Sequence, residues 1–262
     1  MVDGPYRRRR HAAPCAALTA ILSCCAPVLA QRADSSTHRI VGEPSHVILA
    51  LGDVSSSERQ HDSISHALST IEALGLRAGL FTTLIRTDTQ LVTRGAIAAA
   101  TGTLTYYKNL DDFDAVLLFV EGNPPLTPQQ KSDLLAFVQS GKGLVAIHTS
   151  VAAFDSWPAF RDLLGIRGDG PLAEEGADRE LATPPSRFFP TGLHLHDRLV
   201  PLTLKPGAHV LATSNGIPAV WTTRYGKGRV FVSQFGHNEE TWDREDVQHM
   251  IFEAVRWAMG LP

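Results

Sequence analysis

A three-layer α/β domain, with a mainly parallel sheet and helices on both faces, is the fold class this sequence predicts. Three observations carry the prediction. Short apolar runs of strand length alternate with segments of helical periodicity. Residues 115–147 hold a strand, a well-capped helix and a second strand, spaced as a right-handed crossover between parallel strands. Two apolar strands, 144–147 and 230–235, each lead to a histidine, His148 and His237. In open α/β sheets, loops at the carboxyl ends of strands line the ligand crevice.

Each element has its own signal. Val47–Leu51 is an apolar run short enough for a buried strand, and a polar loop from Gly52 to His61 follows it. Ile64, Leu68, Ile71 and Leu74 recur at helical spacing, Gly75 is the expected stop, and Leu76–Phe81 the expected second strand. After Phe113-Asp114 comes the buried strand Ala115–Val120, ending at Glu121. Thr127-Pro128-Gln129-Gln130 opens a helix, since threonine caps, proline suits the first turn and Gln130 completes a capping box. Leu134, Leu135 and Val138 form its inner stripe, and Gly141 ends it. Residues 167–192 are rich in glycine, proline and charge and read as a long surface loop. Val200–Leu204 and Val210–Ala212 are short strand candidates. Val220–Arg224 and Val230–Phe235 flank Tyr225-Gly226-Lys227-Gly228, a hairpin turn by composition. A last helix carries Val247, Ile251, Ala254, Val255 and Ala258.

The start of the chain reads differently. Arg7–Arg10 precede an alanine-rich apolar stretch, Ala12–Ala30, the pattern of a secretory signal cleaved after Ala30. A membrane anchor fits less well, because the stretch is short and holds Pro14 and Pro27. A twin-arginine signal and a lipoprotein site at Cys24-Cys25 stay open as export routes. Residues 31–45 read as a flexible lead-in and 46–262 as one domain, secreted or periplasmic. Removing 1–30 takes away Cys15, Cys24 and Cys25, so disulfides, thiolate metal sites and a cysteine nucleophile are excluded. The 24 basic and 27 acidic residues become 20 and 26, so the net charge moves from -3 to -6. That acidic balance argues against nucleic acid as the partner.

Four loops gather at one sheet edge if the last hairpin's second arm runs parallel to the core strands: Gly52–His61, Glu121–Asn123, His148–Ser150 and Gln234–Asn238. They offer His61, Asp62, Glu121, Asn123, His148 and His237. Histidine and carboxylate in one crevice suit general acid–base work or a metal site. His61, His148 and His237 form the better ligand set, with nitrogen and oxygen donors fitting zinc, iron or manganese. Asp62 is equally well an N-cap. Asn123, Thr149, Trp221 and Asn238 are the candidate substrate contacts, Trp221 being by default a packing residue and Trp242 a further stacking candidate. His194 and His196 would share one face of a strand, a weaker ligand pair. Gly226-Lys227-Gly228 joins two strands, so it is not a phosphate loop. Ser150 lacks a nucleophile-elbow pattern.

His61-Asp62-Ser63-Ile64, Phe113-Asp114-Ala115-Val116, GKGLVAIHTS at 141–150, Pro218-Ala219-Val220-Trp221 and YGKGRVFVSQFGH at 225–237 together resemble the ThuA-like, or trehalose-utilisation, family. The resemblance implies a flavodoxin-like, class I glutamine amidotransferase-like fold. Ala146-Ile147-His148 then falls where amidotransferases carry their nucleophilic cysteine, which implies that amidotransferase chemistry is lost. It also implies a role in carbohydrate metabolism, on disaccharides, glycosides or their keto derivatives, with a small sugar as partner. The chain departs from the family pattern between 167 and 207, where His194, His196 and Asp197 stand without the usual histidine-proline and acidic-tyrosine motifs. The leading expectation is a sugar-acting hydrolase or isomerase with catalytic His148, His237, His61, Glu121 and Asp62. The alternatives are a non-catalytic carbohydrate-binding protein, and a metal-dependent hydrolase built on His194 and His196. A homo-oligomer is compatible with either.

Overall fold

The computed structural model describes residues 44–52, 61–95, 97–98, 104–106, 108–168 and 177–262. The expected export signal, nearly all of the lead-in and the body of the loop after Gly52 lie outside them. In chain order the elements are β1 (His46–Gly52), α1 (Ser63–Ala78), β2 (Phe81–Arg86), β3 (Ile97–Ala98), β4 (Leu104–Tyr106), β5 (Ala115–Phe119), α2 (Pro128–Gln139), β6 (Gly143–Ile147), α3 (Pro158–Leu163), β7 (Ala177–Thr183), β8 (Leu193–Leu199), β9 (His209–Ser214), β10 (Ile217–Tyr225), β11 (Gly228–Ser233), α4 (Glu239–Asp243) and α5 (Glu245–Ala258).

Seven strands form one sheet in the order β2-β1-β5-β6-β11-β10-β9. The first five are parallel to one another, and β10 and β9 add antiparallel strands at one edge. The parallel part has the flavodoxin-like order 2-1-3-4-5, whose direction reverses beside the first strand. The expected parallel course of β11 is what the sheet shows, with Val230 opposite Leu144 and Ser233 opposite Ile147.

Strand alternation divides the core between the two faces. Ile48, Ala50, Leu117, Phe119 and Ile147 pack with Ile64, Leu68, Ile71, Ile251 and Val255 of α1 and α5. Leu49, Leu51, Val116, Leu118 and Ala146 pack with Leu134, Phe137, Phe160 and Leu163 of α2 and α3. The three-layer reading therefore holds, and the five parallel strands are continuous apolar runs because both faces are covered. Among the described residues no helix is long and apolar enough to cross a membrane.

Four local expectations need correction. The first helix does not stop at Gly75 but runs to Ala78, and Gly79 caps it in the left-handed conformation at φ 60°. Leu76–Ala78 is thus helix, and the second strand begins only at Phe81. Residues 167–192 are not one long loop, since Ala177–Thr183 pairs antiparallel with Leu193–Leu199 along its full length. Its strand signal was weak because β7 reads ADRELAT, with three consecutive charged residues, Asp178 to Glu180, in place of an apolar alternation. Val200–Leu204 is not a strand: only Leu204 bridges, to Ile166. Pro201 there has no N–H to give a ladder. By contrast Thr127 and Gln130 make the expected capping box, and β10 and β11 turn at Gly226-Lys227.

Candidate functional site

The four loops that hold the predicted residues follow β1, β5, β6 and β11, and all leave the sheet at its carboxyl edge. The site therefore lies beside the β1–β5 reversal, the crevice that open α/β sheets use for ligands. Across it, His61 Nδ1 stands 3.3 Å from Glu121 Oε2. The rings of His61 and His148, and of His61 and His237, have centroids 4.8 Å apart, and those of His148 and His237 are 5.2 Å apart. One ligand-capable nitrogen from each ring lies within 4.8 Å of the others.

His148 is the most constrained of the three. It is 6% exposed and opens a single 3-10 turn straight out of β6, with φ at +49°. That left-handed conformation costs an L-residue about 1 kcal/mol. Its Nδ1 lies 2.8 Å from the carbonyl oxygen of Gln234, which can only accept, so Nδ1 carries the proton. Nε2 is then a lone pair facing His237 Nδ1 at 3.2 Å. Burial pushes the His148 pKa down to about 3, only partly opposed by the bond to Gln234, and the neighbouring His61, His237 and Arg198 deepen the shift. His148 is therefore neutral at physiological pH. Burial also lowers the His61 pKa, against the attraction of Glu121.

The framework behind the histidines is densely bonded. Ser150, fully buried, gives its hydroxyl to Leu118 O at 2.9 Å and accepts from Val120 N–H at 2.9 Å, fixing the turn after β6 to the end of β5. Gln234 is 1% exposed, and its side chain accepts from Val200 N–H and donates to Val200 O and Pro218 O. Gly236, at φ 132°, passes under Trp242, where an added Cβ would come within 2.8 Å of the indole. Its carbonyl accepts from Ser63 Oγ at 3.0 Å and Trp242 Nε1 at 3.1 Å. Ser63 follows His61 by two residues, so this bond joins the His61 and His237 loops.

The remaining predicted residues divide. Glu121 belongs to the cluster through His61. Asp62 precedes α1 but makes no side-chain capping bond, and it is exposed beside His61. Thr149 sits half-buried in the His148 turn, and Asn238 is exposed next to His237. Asn123 is exposed at the rim, where its amide donates to Asp155 at 2.7 Å. Trp221 is corrected: it is fully buried between the sheet and α3, with Nε1 bonded to Leu164 O, and it contacts no crevice. Trp242 packs behind the His237 loop against Phe119 rather than facing a ligand. His194 and His196 do share a face of β8, but it is the exposed one, and His194 pairs there with Glu180.

Two residues outside the predicted site set, Asp197 and Arg198, also belong to the site. Asp197 is 3% exposed on the inward row of β8, and burial raises its carboxyl pKa although Gly236, Arg198 and His237 N–H groups pull it down. Arg198 places a cation whose field disfavours the charged forms of His61 and His148. Alternation in LHLHDRL puts the aspartate in line with three leucines, which signals that it is buried but not what it bonds.

Comparison with known proteins agrees with this architecture. Residues 54–258 match the family model described as ThuA, trehalose utilisation. A ThuA-like protein from Bacteroides uniformis has a TM-score of 0.62 at 16% identity, over 82% of this chain and 92% of that one. One from Parabacteroides merdae has 0.58 at 18% identity, over 84% and 91%. A β-galactosidase from Bacillus circulans has 0.53 at 11% identity, over 82% of this chain but 31% of that enzyme. These structural likenesses show the fold alone. No curated protein matches the sequence. With the family model spanning most of the chain and the flavodoxin-like sheet in place, the chain belongs to the ThuA, trehalose-utilisation, family.

Proposed function

We propose that the protein is an exported enzyme that acts on a disaccharide, glycoside or keto-sugar, with His61, His148 and His237 holding a divalent cation (zinc, iron or manganese). The observation that carries this reading is the convergence of three imidazoles, one buried and held neutral, with their nitrogens within 4.8 Å of one another. A cation needs deprotonated ligands, and a histidine whose other nitrogen is bonded to a carbonyl or carboxylate is the usual form of one. His148 on Gln234 O has that form, and His61 Nδ1 stands 3.3 Å from the Glu121 carboxylate. Three protein ligands leave a position for water or a sugar oxygen, where the ion would supply Lewis-acid polarisation. Glu121 and Asp62 stand beside His61 as groups able to take or return a proton. The family's sugar-related role supports the substrate class. Export rests on the composition of residues 1–30. Cysteine-based amidotransferase chemistry does not fit this chain, whose sequence has no cysteine after Cys25.

The test is metal analysis of protein purified without added metal or chelator. Near-stoichiometric zinc, iron or manganese in the wild type, lost in His148→Ala while the circular dichroism spectrum is kept, is the expected result. Turnover of a sugar panel should vanish in the same variant. A metal-free wild type would overturn the cation and leave metal-free acid–base chemistry or simple sugar binding to be separated by product analysis.

A further inference from the structure

The hairpin of β7 and β8 lies outside the seven-stranded sheet, yet it sends one carboxylate to the strand-end loop that carries His237. Asp197 shares its row with Leu193, Leu195 and Leu199, all packed into the core on the α1/α5 side. A leucine at 197 would extend that row, whereas a buried carboxylate costs several kcal/mol unless its lone pairs are met by donors. Here they are met. Asp197 Oδ2 accepts from Gly236 N–H at 2.9 Å, Oδ1 accepts from Arg198 N–H at 2.7 Å, His237 N–H lies 3.4 Å from both oxygens, and Thr241 Oγ1 lies 3.5 Å from Oδ2. The Gly236 peptides are thus gripped on both sides: Asp197 takes the N–H, and Ser63 and Trp242 hold the carbonyl.

We propose that Asp197 is a positioning residue for His237, holding the Gly236-His237 backbone so that the imidazole meets His61 and His148. The cluster is then completed from a part of the chain separate from the four strand-end loops. The inference deepens the cation-site reading, and its metal arm rests on that reading. The backbone arm does not.

Asp197→Asn keeps the shape but turns one acceptor into a donor. Hydrogen exchange at Gly236 and His237 should accelerate at least tenfold, while amides of β5 and β6 keep wild-type rates. Cobalt affinity should fall about 10- to 100-fold, as for other groups that orient a metal ligand, and the visible spectrum of the bound cobalt should change. A role in packing alone would lower the melting temperature without moving either readout in the folded protein. If wild type binds no cobalt, the cation reading fails and exchange at 236–237 still decides the role of Asp197. A folded Asp197→Asn with wild-type exchange at those amides overturns the inference. Should Asp197→Asn not fold, Asp197→Glu keeps the charge on a longer arm. Faster exchange at 236–237 in that variant supports positioning, and wild-type exchange overturns it.

Discussion

His148 combines a strained backbone with a buried, neutral ring, and both follow from where it stands. The chain must turn at once after Ile147 to bring Ser150 under the end of β5, so the first turn residue takes φ +49°. The ring that follows is enclosed by Phe119, His61 and His237, where a charge would be poorly solvated. This has a consequence for stability in metal-free protein. The folded His148 has a pKa of about 3, while an unfolded histidine titrates near 6.5. Between those values the unfolded chain binds the extra proton, so stability present above about pH 6.5 is lost as the pH falls. Asparagine tolerates left-handed φ and does not titrate, which makes His148→Asn the fitting comparison. In urea titrations of chelator-treated protein, wild type should lose up to about 2 kcal/mol more than this variant between pH 7 and pH 5. Equal losses would show that His148 is not held neutral.

At the scale of the element, Gly75 shows how a contact overrides a propensity. It lies inside α1, where alanine would be favoured by about 1 kcal/mol. A Cβ there would stand 2.4 Å from the Phe81 ring and 2.5 Å from the Phe81 carbonyl oxygen. Overpacking of that kind costs about 1–3 kcal/mol, so Gly75→Ala should lower stability by about 1 kcal/mol in thermal or urea unfolding. The same contact explains a boundary that the sequence hid. Gly75 reads as a helix stop, but its missing side chain serves the start of β2, and the true stop four residues on is Gly79. Buried strands and the capping box of α2 were legible because their signals are local, in runs such as AVLLF and in the Thr127–Gln130 pair. The three histidines were legible because each follows a strand. Asp197 was not, because its role depends on a hairpin whose first strand is charged and whose target, the Gly236 N–H, lies 39 residues away. For Trp221 the default reading as a packing residue held and only its candidacy as a substrate contact fell, since an aromatic on an antiparallel strand looks alike whether it faces a helix or a ligand.

Across the whole molecule, the parallel sheet separates a supporting end from a working end. At the amino ends of β1, β5 and β6, Asp114 accepts from Val47 N–H at 3.2 Å and from Lys142 Nζ at 3.1 Å, with His46 Nδ1 at 3.2 Å. Partial burial pushes its carboxyl pKa up, but the Lys142 bond and charge, the Val47 N–H and His46 together hold it below the usual carboxylate range. The stability this gives is present at neutral pH and is lost as the pH falls through the lowered pKa. The pair is partly exposed to solvent, so its worth is modest. At the carboxyl ends of the same strands, the histidine cluster contains a strained residue and a buried carboxylate support. The two ends should therefore respond oppositely to substitution. Asp114→Asn should flatten the acid limb of the stability profile and cost about 1 kcal/mol at neutral pH, with cobalt affinity unchanged. His148→Ala should abolish cobalt binding while changing unfolding of the metal-free protein far less than a core truncation does. Measuring both variants by urea unfolding and by cobalt titration separates the two ends. A loss of affinity in Asp114→Asn would mean that the sheet transmits strain from its support to its site, and that the framework around His148 and Ser150 is not rigid enough to isolate it.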